Sequence, residues 1–298
     1  MNLYNEKLKH LRDTVKSALD YSLSDNDDER QDNSRSVLSA MRYSLLGNGK
    51  RFRGILSLAC CEIISGDYRK AIPAAVAVEM VHSYSLIHDD LPCMDDDDIR
   101  RGRPSCHIAY GISTALLAGD ALLTLAFDEL SKAENDLSIA KCVSILSRAA
   151  GYTGMIRGQE LDLANEGRND ISFFELEEMH RLKTGRLIAA AAMMGGLLAG
   201  GNNDDLETID NYANKLGIVF QIIDDILDIS ADKEKLGKPS GSDKKRDKRT
   251  YVTLYGIDRS REIAREKTEE AVEIICNKYA EKSLFLSEFA MDLLARRY

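Results

Sequence analysis

The chain has 298 residues, 44% of them apolar and 30% charged, with 20 Gly, 4 Pro and no Trp. That much apolar content in a chain long enough to bury a sizeable core excludes a disordered polymer, and the lack of a glycine period excludes collagen. A net charge of −9 argues against a general nucleic-acid binder, which needs clustered positive charge.

Scarce proline and a recurring 3.6-residue apolar period predict helices almost throughout. Leu3, Leu8, Leu11 and Val15 make one stripe of a first helix, and Val37, Met41, Leu45 and Leu46 a second. Ile55 to Ile64 and Ile72 to Ile87 are apolar on most sides, as buried helices are. The series continues through Leu116 to Leu130, Ile139 to Met155, Phe173 to Lys183, Leu187 to Leu198, Ile209 to Leu227 and Ile257 to Leu294. No alternating run suggests a sheet. Leu91 to Gly111 and Ser230 to Arg249, each punctuated by Gly and Pro, read as long loops, and long loops in compact domains are usually functional. With no linker-like shift in composition, the expectation is one all-α domain of about ten helices over residues 1–298.

Met1 to Asp20 carries charges throughout and has no signal-length apolar run. The most apolar stretch, Leu187 to Ala199, is shorter than the ~20 residues a membrane helix needs, so no stable membrane insertion is expected. Six cysteines, with Cys60 and Cys61 adjacent and no CxxC spacing, make neither a disulfide framework nor a zinc site. A cytoplasmic location follows as the simplest expectation.

Two aspartate clusters carry the chemistry. The first, Asp89-Asp90-Leu-Pro-Cys-Met-Asp95-Asp96-Asp97-Asp98, directly follows an apolar helix, where the macrodipole disfavours further anions. Two carboxylates ~5 Å apart repel by ~3 kcal/mol at an effective dielectric of 20, so a positive partner is expected. Asp89 and Asp95 would diverge on a regular helix, and Pro92 must bend the chain if they act together. The second cluster, Asp224-Asp225-Ile-Leu-Asp228, lies within another apolar helix, with Asp224 and Asp228 on one face. All-oxygen ligands favour Mg²⁺ or Ca²⁺, and no EF-hand pattern is present. The preferred reading is a diphosphate held through Mg²⁺ between two carboxylate walls.

Cations lie nearby in sequence, as that reading requires. Arg100-Arg101-Gly102-Arg103 follows the first cluster, and Lys238, Lys244, Lys245 and Lys248 follow the second. Gly49-Lys50-Arg51-Phe52-Arg53 stands at a helix start, where backbone N–H groups also favour an anion. Lys183-Thr184-Gly185 marks a helix break. His82 lies seven residues before Asp89 on the same face, and Gln221 one turn before Asp224.

Together these residues resemble the short-chain trans-prenyltransferases, specifically the bacterial-type farnesyl diphosphate synthases. The matching pieces run from Gly49-Lys50-Arg51-Phe52-Arg53 through His82 to Asp95, Arg100-Arg101-Gly102, Gly158-Gln159-Glu-Leu-Asp162, Lys183-Thr184, Gln221 to Asp228, Gly237-Lys238 and Lys248-Arg-Thr-Tyr251. The resemblance implies an all-α prenyltransferase, usually a homodimer. It implies that Asp89, Asp95 and Asp224, supported by Asp90, Asp225 and Asp228, bind about three Mg²⁺ ions bridging an allylic diphosphate. Arg100, Lys183, Gln221 and Lys238 would contact that diphosphate or the allylic end, with Thr184 at the reacting centre. Lys50, Arg53, His82 and Arg101 would hold isopentenyl diphosphate, and Lys248 would help close the site.

The family's chemistry is ionisation of the allylic diphosphate, attack by the isopentenyl double bond, and loss of a proton to the released diphosphate. Tyr84, five residues or about 7.5 Å of helix rise below Asp89, is placed to be the floor that stops the growing chain. In the family an aromatic residue there, with the extra residues around Pro92-Cys93, goes with a fifteen-carbon product. The implied substrates are therefore dimethylallyl, geranyl and isopentenyl diphosphates. The sequence departs from the family pattern at Asn48, usually glycine, and Gly54, usually proline. Geranylgeranyl diphosphate synthase is the nearest alternative. A terpene cyclase is disfavoured by the second aspartate motif, and a non-catalytic heterodimer subunit by the integrity of both motifs.

Overall fold

The computed structural model describes residues 3–24, 36–134, 136–168, 170–235 and 250–296. Thirteen α-helices account for most of these residues, and the all-α expectation holds. The chain divides into two compact units, Met1–Ser144 with Met194–Gly200, and Ile145–Met193 with Gly201–Tyr298.

In the first unit, α1 (Leu3–Ser22) buries Tyr4, Leu11, Val15 and Leu19, whereas Leu3, at the frayed first turn, is 80% exposed. Each fully buried Leu or Val is worth about 1.5–3 kcal/mol. Helix α2 (Val37–Leu45) starts where the Ser36 hydroxyl accepts the Ser39 N–H, an N-cap that satisfies one orphan donor. Helix α3 (Phe52–Ser65) ends at Gly66, whose φ of 74° suits a residue without a Cβ. Helix α4 (Ile72–Asp89) admits Pro73 in its first turn and buries an unbroken run from Ala74 to Val81. It packs along α6 (Ile112–Ser131) and against α3.

The second unit contains α8 (Met155–Ala164), α9 (Phe173–His180), a π-helical turn (Arg181–Gly185), α11 (Asn203–Lys235), α12 (Tyr251–Tyr279) and α13 (Leu284–Leu294). A capping box between Ser172 and Glu175 starts α9, and Thr250 and Thr253 play the same part for α12. Helices α7 (Asp136–Ala150) and α10 (Arg186–Leu198) each contribute residues to both units. Leu187 to Ala192 and Met194 are buried within the chain itself, which makes α10 an interior helix.

Four expectations need correction. The helix expected from Ile139 to Met155 stops at Ala150, because Gly154 turns through φ −131°, ψ −121°, and a Cβ there would collide with the Ala149 carbonyl. The run from Ile257 to Leu294 is broken by Ala280 (φ 48°) and a 3-10 turn, while Gly256 (φ 79°) kinks α12 one residue earlier. Residues 230–235, expected in a loop, continue α11. The loop after Leu91 contains a short antiparallel ribbon, β1 (Ile99–Arg100) with β2 (Arg103–Pro104), and α5 (Cys106–Tyr110). Strands of two residues are too short to leave a periodic signal.

Candidate active site

Helix α4 delivers Asp89 as its last residue and Asp90 as its C-cap. Beyond it the chain folds back on itself. Met94 N–H donates to the Leu91 carbonyl (2.8 Å), and Asp95 N–H donates to the Asp89 carbonyl (2.8 Å). Asp96 completes the reversal at φ 52°. The backbones of Asp89 and Asp95 are thereby brought together, as a bend at Pro92 requires. Asp89, Asp95 and Asp97 are half-buried, and Asp96 and Asp98 exposed. Asp90 points inward. Its carboxylate accepts from Arg100 Nε at 2.9 Å and from Nη2 of the same guanidinium. Burial pushes the Asp90 carboxyl up, against the pull of Arg100.

Arg100 and Arg101 are separated by the ribbon's turn. Arg101 (φ 55°) and Gly102 (φ 77°) take the two left-handed positions of a tight hairpin, conformations that glycine adopts freely. The returning strand is fastened to α2. Tyr43 Oη donates to the Pro104 carbonyl at 2.7 Å, Arg103 donates to the Tyr43 carbonyl, and the Arg103 guanidinium lies 3.9 Å from the Tyr43 ring centre. A Cβ on Gly49 would sit 2.8 Å from Arg101 Nη1 and 3.0 Å from Arg51 Nη1, so that glycine opens space for two guanidiniums.

A cationic basin results in the first unit. Lys50 is exposed just before α3, and Arg53 is buried in its first turn. Burial, then the charges of Arg53, Arg101, Arg51 and Arg100, hold the His82 imidazole well below its ordinary pKa, so it is neutral at physiological pH. Glu79 offsets this charge from inside α4. It accepts the Gly54 N–H at 2.9 Å and lies 3.6 Å from Arg51 Nη1, both side chains being almost fully buried. Glu79 is the only charged residue between Ile72 and Val81, and that interruption of an apolar run was the available signal for it. The Gly54 contact gives a reason for the departure from proline, which has no N–H to donate.

Tyr84 lies on α4 below Asp89 with 6% of its surface exposed. Burial, and then the Asp89 charge, push its phenol up to about 12.

In the second unit, the π-helical turn carries Lys183 and Thr184, and such turns recur at functional sites. Glycines on two neighbouring helices make room for it. A Cβ on Gly158 of α8 would collide with the Lys183 backbone, and one on Gly217 of α11 would approach Gly185 Cα to 2.9 Å. Lys183 Nζ donates to Asp162 Oδ2 at 2.7 Å. Thr184 Oγ1 donates to Gln221 Oε1 (3.1 Å), Gln221 Nε2 donates to Asp225 Oδ1 (2.8 Å), and Tyr251 N–H donates to Asp225 Oδ2 (2.9 Å). One chain of hydrogen bonds thus joins Thr184, Gln221 and Asp225 to the start of α12. Burial, opposed by these two bonds, pushes the Asp225 carboxyl up to about 7. Asp224, half-buried, lies 3.7 Å from Arg296 Nη1, and Asp228 is exposed. Arg296 stacks over Phe220 and is the one part of the basic tail within the described residues.

In each unit the carboxylates are hard oxygen donors of the kind Mg²⁺ takes: Asp89 and Asp95 are half-buried in the first, and Asp224 is half-buried and Asp228 exposed in the second, while both Asp225 oxygens accept from protein donors and Asp90 is bonded to Arg100. Among the described residues no three His, Cys, Asp or Glu side chains form a ready-made metal cage. Lys238 and Lys248 lie outside the described residues. Asp162 and Tyr251 thus hold Lys183 and Asp225, and His180, a residue without a sequence signal, stacks on Tyr251 with ring centroids 5.7 Å apart.

Residues 34–286 match the polyprenyl synthetase family model. The large subunit 1 of a chloroplastic heterodimeric geranylgeranyl pyrophosphate synthase from Arabidopsis thaliana is 44% identical over 242 residues, 79% of this chain and 65% of that protein. The chain therefore spans slightly less than two thirds of this relative. An FPP/GFPP synthase from Zymomonas mobilis superposes with a TM-score of 0.85 at 29% identity, covering 98% of each chain. A geranyltransferase from Legionella pneumophila gives 0.85 at 30%, covering 99% of this chain and 97% of that one.

Proposed function

Since the chain belongs to the polyprenyl synthetase family and is a prenyltransferase of that family, we propose that it condenses isopentenyl diphosphate with dimethylallyl diphosphate and then with geranyl diphosphate, giving (E,E)-farnesyl diphosphate. The observation that carries the fifteen-carbon reading is the buried Tyr84 ring on the helix that ends at Asp89.

Lys50, Arg53, His82 and Arg101 hold isopentenyl diphosphate. A neutral His82 donates one N–H without adding to the charge of its arginine neighbours. Arg100, Lys183, Gln221 and Lys238 bind the allylic substrate, Thr184 sits at the reacting centre, and Lys248 closes the site. Asp89, Asp95, Asp224 and Asp228 ligate Mg²⁺, with Asp90 and Asp225 fixing the backbone around them. Bound Mg²⁺ supplies positive charge that stabilises the departing diphosphate. Ala74, Val78, Val81 and Tyr84 give α4 an apolar character that excludes water from the allylic cation. The final proton would pass to the released diphosphate, as the resemblance to the family implies.

One domain, a homodimer and a cytoplasmic location are part of the same proposal. No described helix is long and apolar enough to cross a membrane. The name of the plant relative favours a second reading, a twenty-carbon product. Incubation of the purified chain with isopentenyl and dimethylallyl diphosphates and Mg²⁺, followed by chromatography of the dephosphorylated products, decides between them. Farnesol is expected. Geranylgeraniol as the main product selects the second reading, and no product at all points to a non-catalytic subunit.

A further inference from the structure

We propose that His88 and Gly119 are specificity-determining positioning residues that fix product length by bracing the Tyr84 ring. The inference rests on the reading of Tyr84 as the floor of the chain-length cavity.

Tyr84 and His88 are four apart on α4, so their side chains stand on one face, one turn from each other. Their rings meet edge-to-face, with centroids 5.7 Å apart and planes at 79°. His88 is in turn fastened to α6, its Nε2 lying 3.1 Å from the Leu116 carbonyl oxygen. A carbonyl only accepts, so Nε2 carries the hydrogen and the ring orientation is set. Asp120 Oδ1, 3.9 Å from the same nitrogen, reinforces it. Gly119 makes this possible. A Cβ at that position would collide with the imidazole, so only glycine lets α6 close around the ring. Backbone of α6, imidazole of His88 and phenol ring of Tyr84 form one stack. A floor resists a growing apolar chain only if its ring cannot swing aside, and within this stack the imidazole edge is what stands against that movement.

Product distribution of His88→Ala, Gly119→Ala and Tyr84→Ala, measured alongside KM for isopentenyl diphosphate, tests the brace. Loss of one aromatic edge contact is expected to raise the share of products longer than fifteen carbons by about threefold in each brace variant, with KM unchanged. Tyr84→Ala is expected to lengthen products further. Lengthening in Tyr84→Ala with a wild-type distribution in both brace variants overturns the brace and leaves the floor standing. An unchanged distribution in Tyr84→Ala removes the floor itself. His88→Phe guards against a folding artefact, because it keeps the ring edge and loses only the bond to Leu116. It is expected to retain the fifteen-carbon profile, and a shift as large as that of His88→Ala overturns the ring-edge explanation.

Discussion

Asp90 and Asp225 are the second residues of their Asp-Asp pairs, and both are nearly buried, 2% and 5% exposed. Their surroundings differ in kind. Asp90 sits at the end of a helix and bonds a guanidinium delivered by the hairpin that follows. Asp225 sits inside α11 and accepts only neutral donors, a side-chain amide and a backbone N–H. Burial raises both carboxyls. For Asp225 the charges of Asp224 and Asp228 add to that push against two neutral hydrogen bonds, and it reaches about 7. Neutral N–H groups are thus enough to orient a buried carboxylate, and a guanidinium opposes the upward push of burial where neutral donors do so only by their hydrogen bonds.

The largest effect separates residues that offer oxygens from residues that hold position. Asp89→Ala and Asp224→Ala are each expected to lower kcat by about 10³-fold, the range for losing electrostatic stabilisation of a departing group. Asp225→Asn keeps an acceptor for one of its two donors and is expected to cost only about tenfold in kcat. Steady-state kinetics with saturating Mg²⁺ reads this difference, and equal losses for Asp224→Asn and Asp225→Asn would break the distinction.

A smaller effect tests cation against dipole. Arg100→Ala leaves the Asp90 charge buried without its partner and is expected to cost about 3–5 kcal/mol in urea unfolding. Gln221→Ala removes one neutral donor and is expected to cost about 1–3 kcal/mol. The reverse order would mean that Asp90 is held by contacts other than Arg100.

Most of the fold was legible because α4 and α10 are apolar over whole turns, a pattern that suits a buried helix. The candidate ligands stood out because acidic pairs at the ends or in the middle of such helices repel one another and call for a positive partner. What the sequence could not give is dihedral and distal. Gly256 and Ala280 divide the last helical stretch through positive φ values that composition does not announce. The bond of Tyr43 to Pro104 joins residues 61 apart. Tyr251, 26 residues from Asp225, reaches it by a backbone N–H that carries no residue-type signature. Glu79 was visible as a lone charge in an apolar run, but its partner Arg51 was hidden among the substrate-directed cations of the same motif.

The smallest expected effect concerns pH at the second pair. His180 stacks on Tyr251, whose N–H holds Asp225, and burial pushes the imidazole down to about 4 despite the Asp162 charge. Unfolded, a histidine titrates near 6.5. Between these values the unfolded chain binds the extra proton, so stability rises with pH. The contribution is fully present above about pH 6.5 and is lost as pH falls toward 4, with an upper bound of about 3 kcal/mol. Asp225 acts with the opposite sign, because its folded pKa is raised and the native state gains the proton as pH falls below about 7. The two slopes partly cancel in wild type, and single variants separate them. His180→Phe keeps the stacked ring without the titration, so its unfolding free energy is expected to fall less between pH 7.5 and 5 than that of wild type. Hydrogen exchange at the Tyr251 amide locates the effect, and equal pH slopes for wild type and His180→Phe would show that the stack carries no proton linkage.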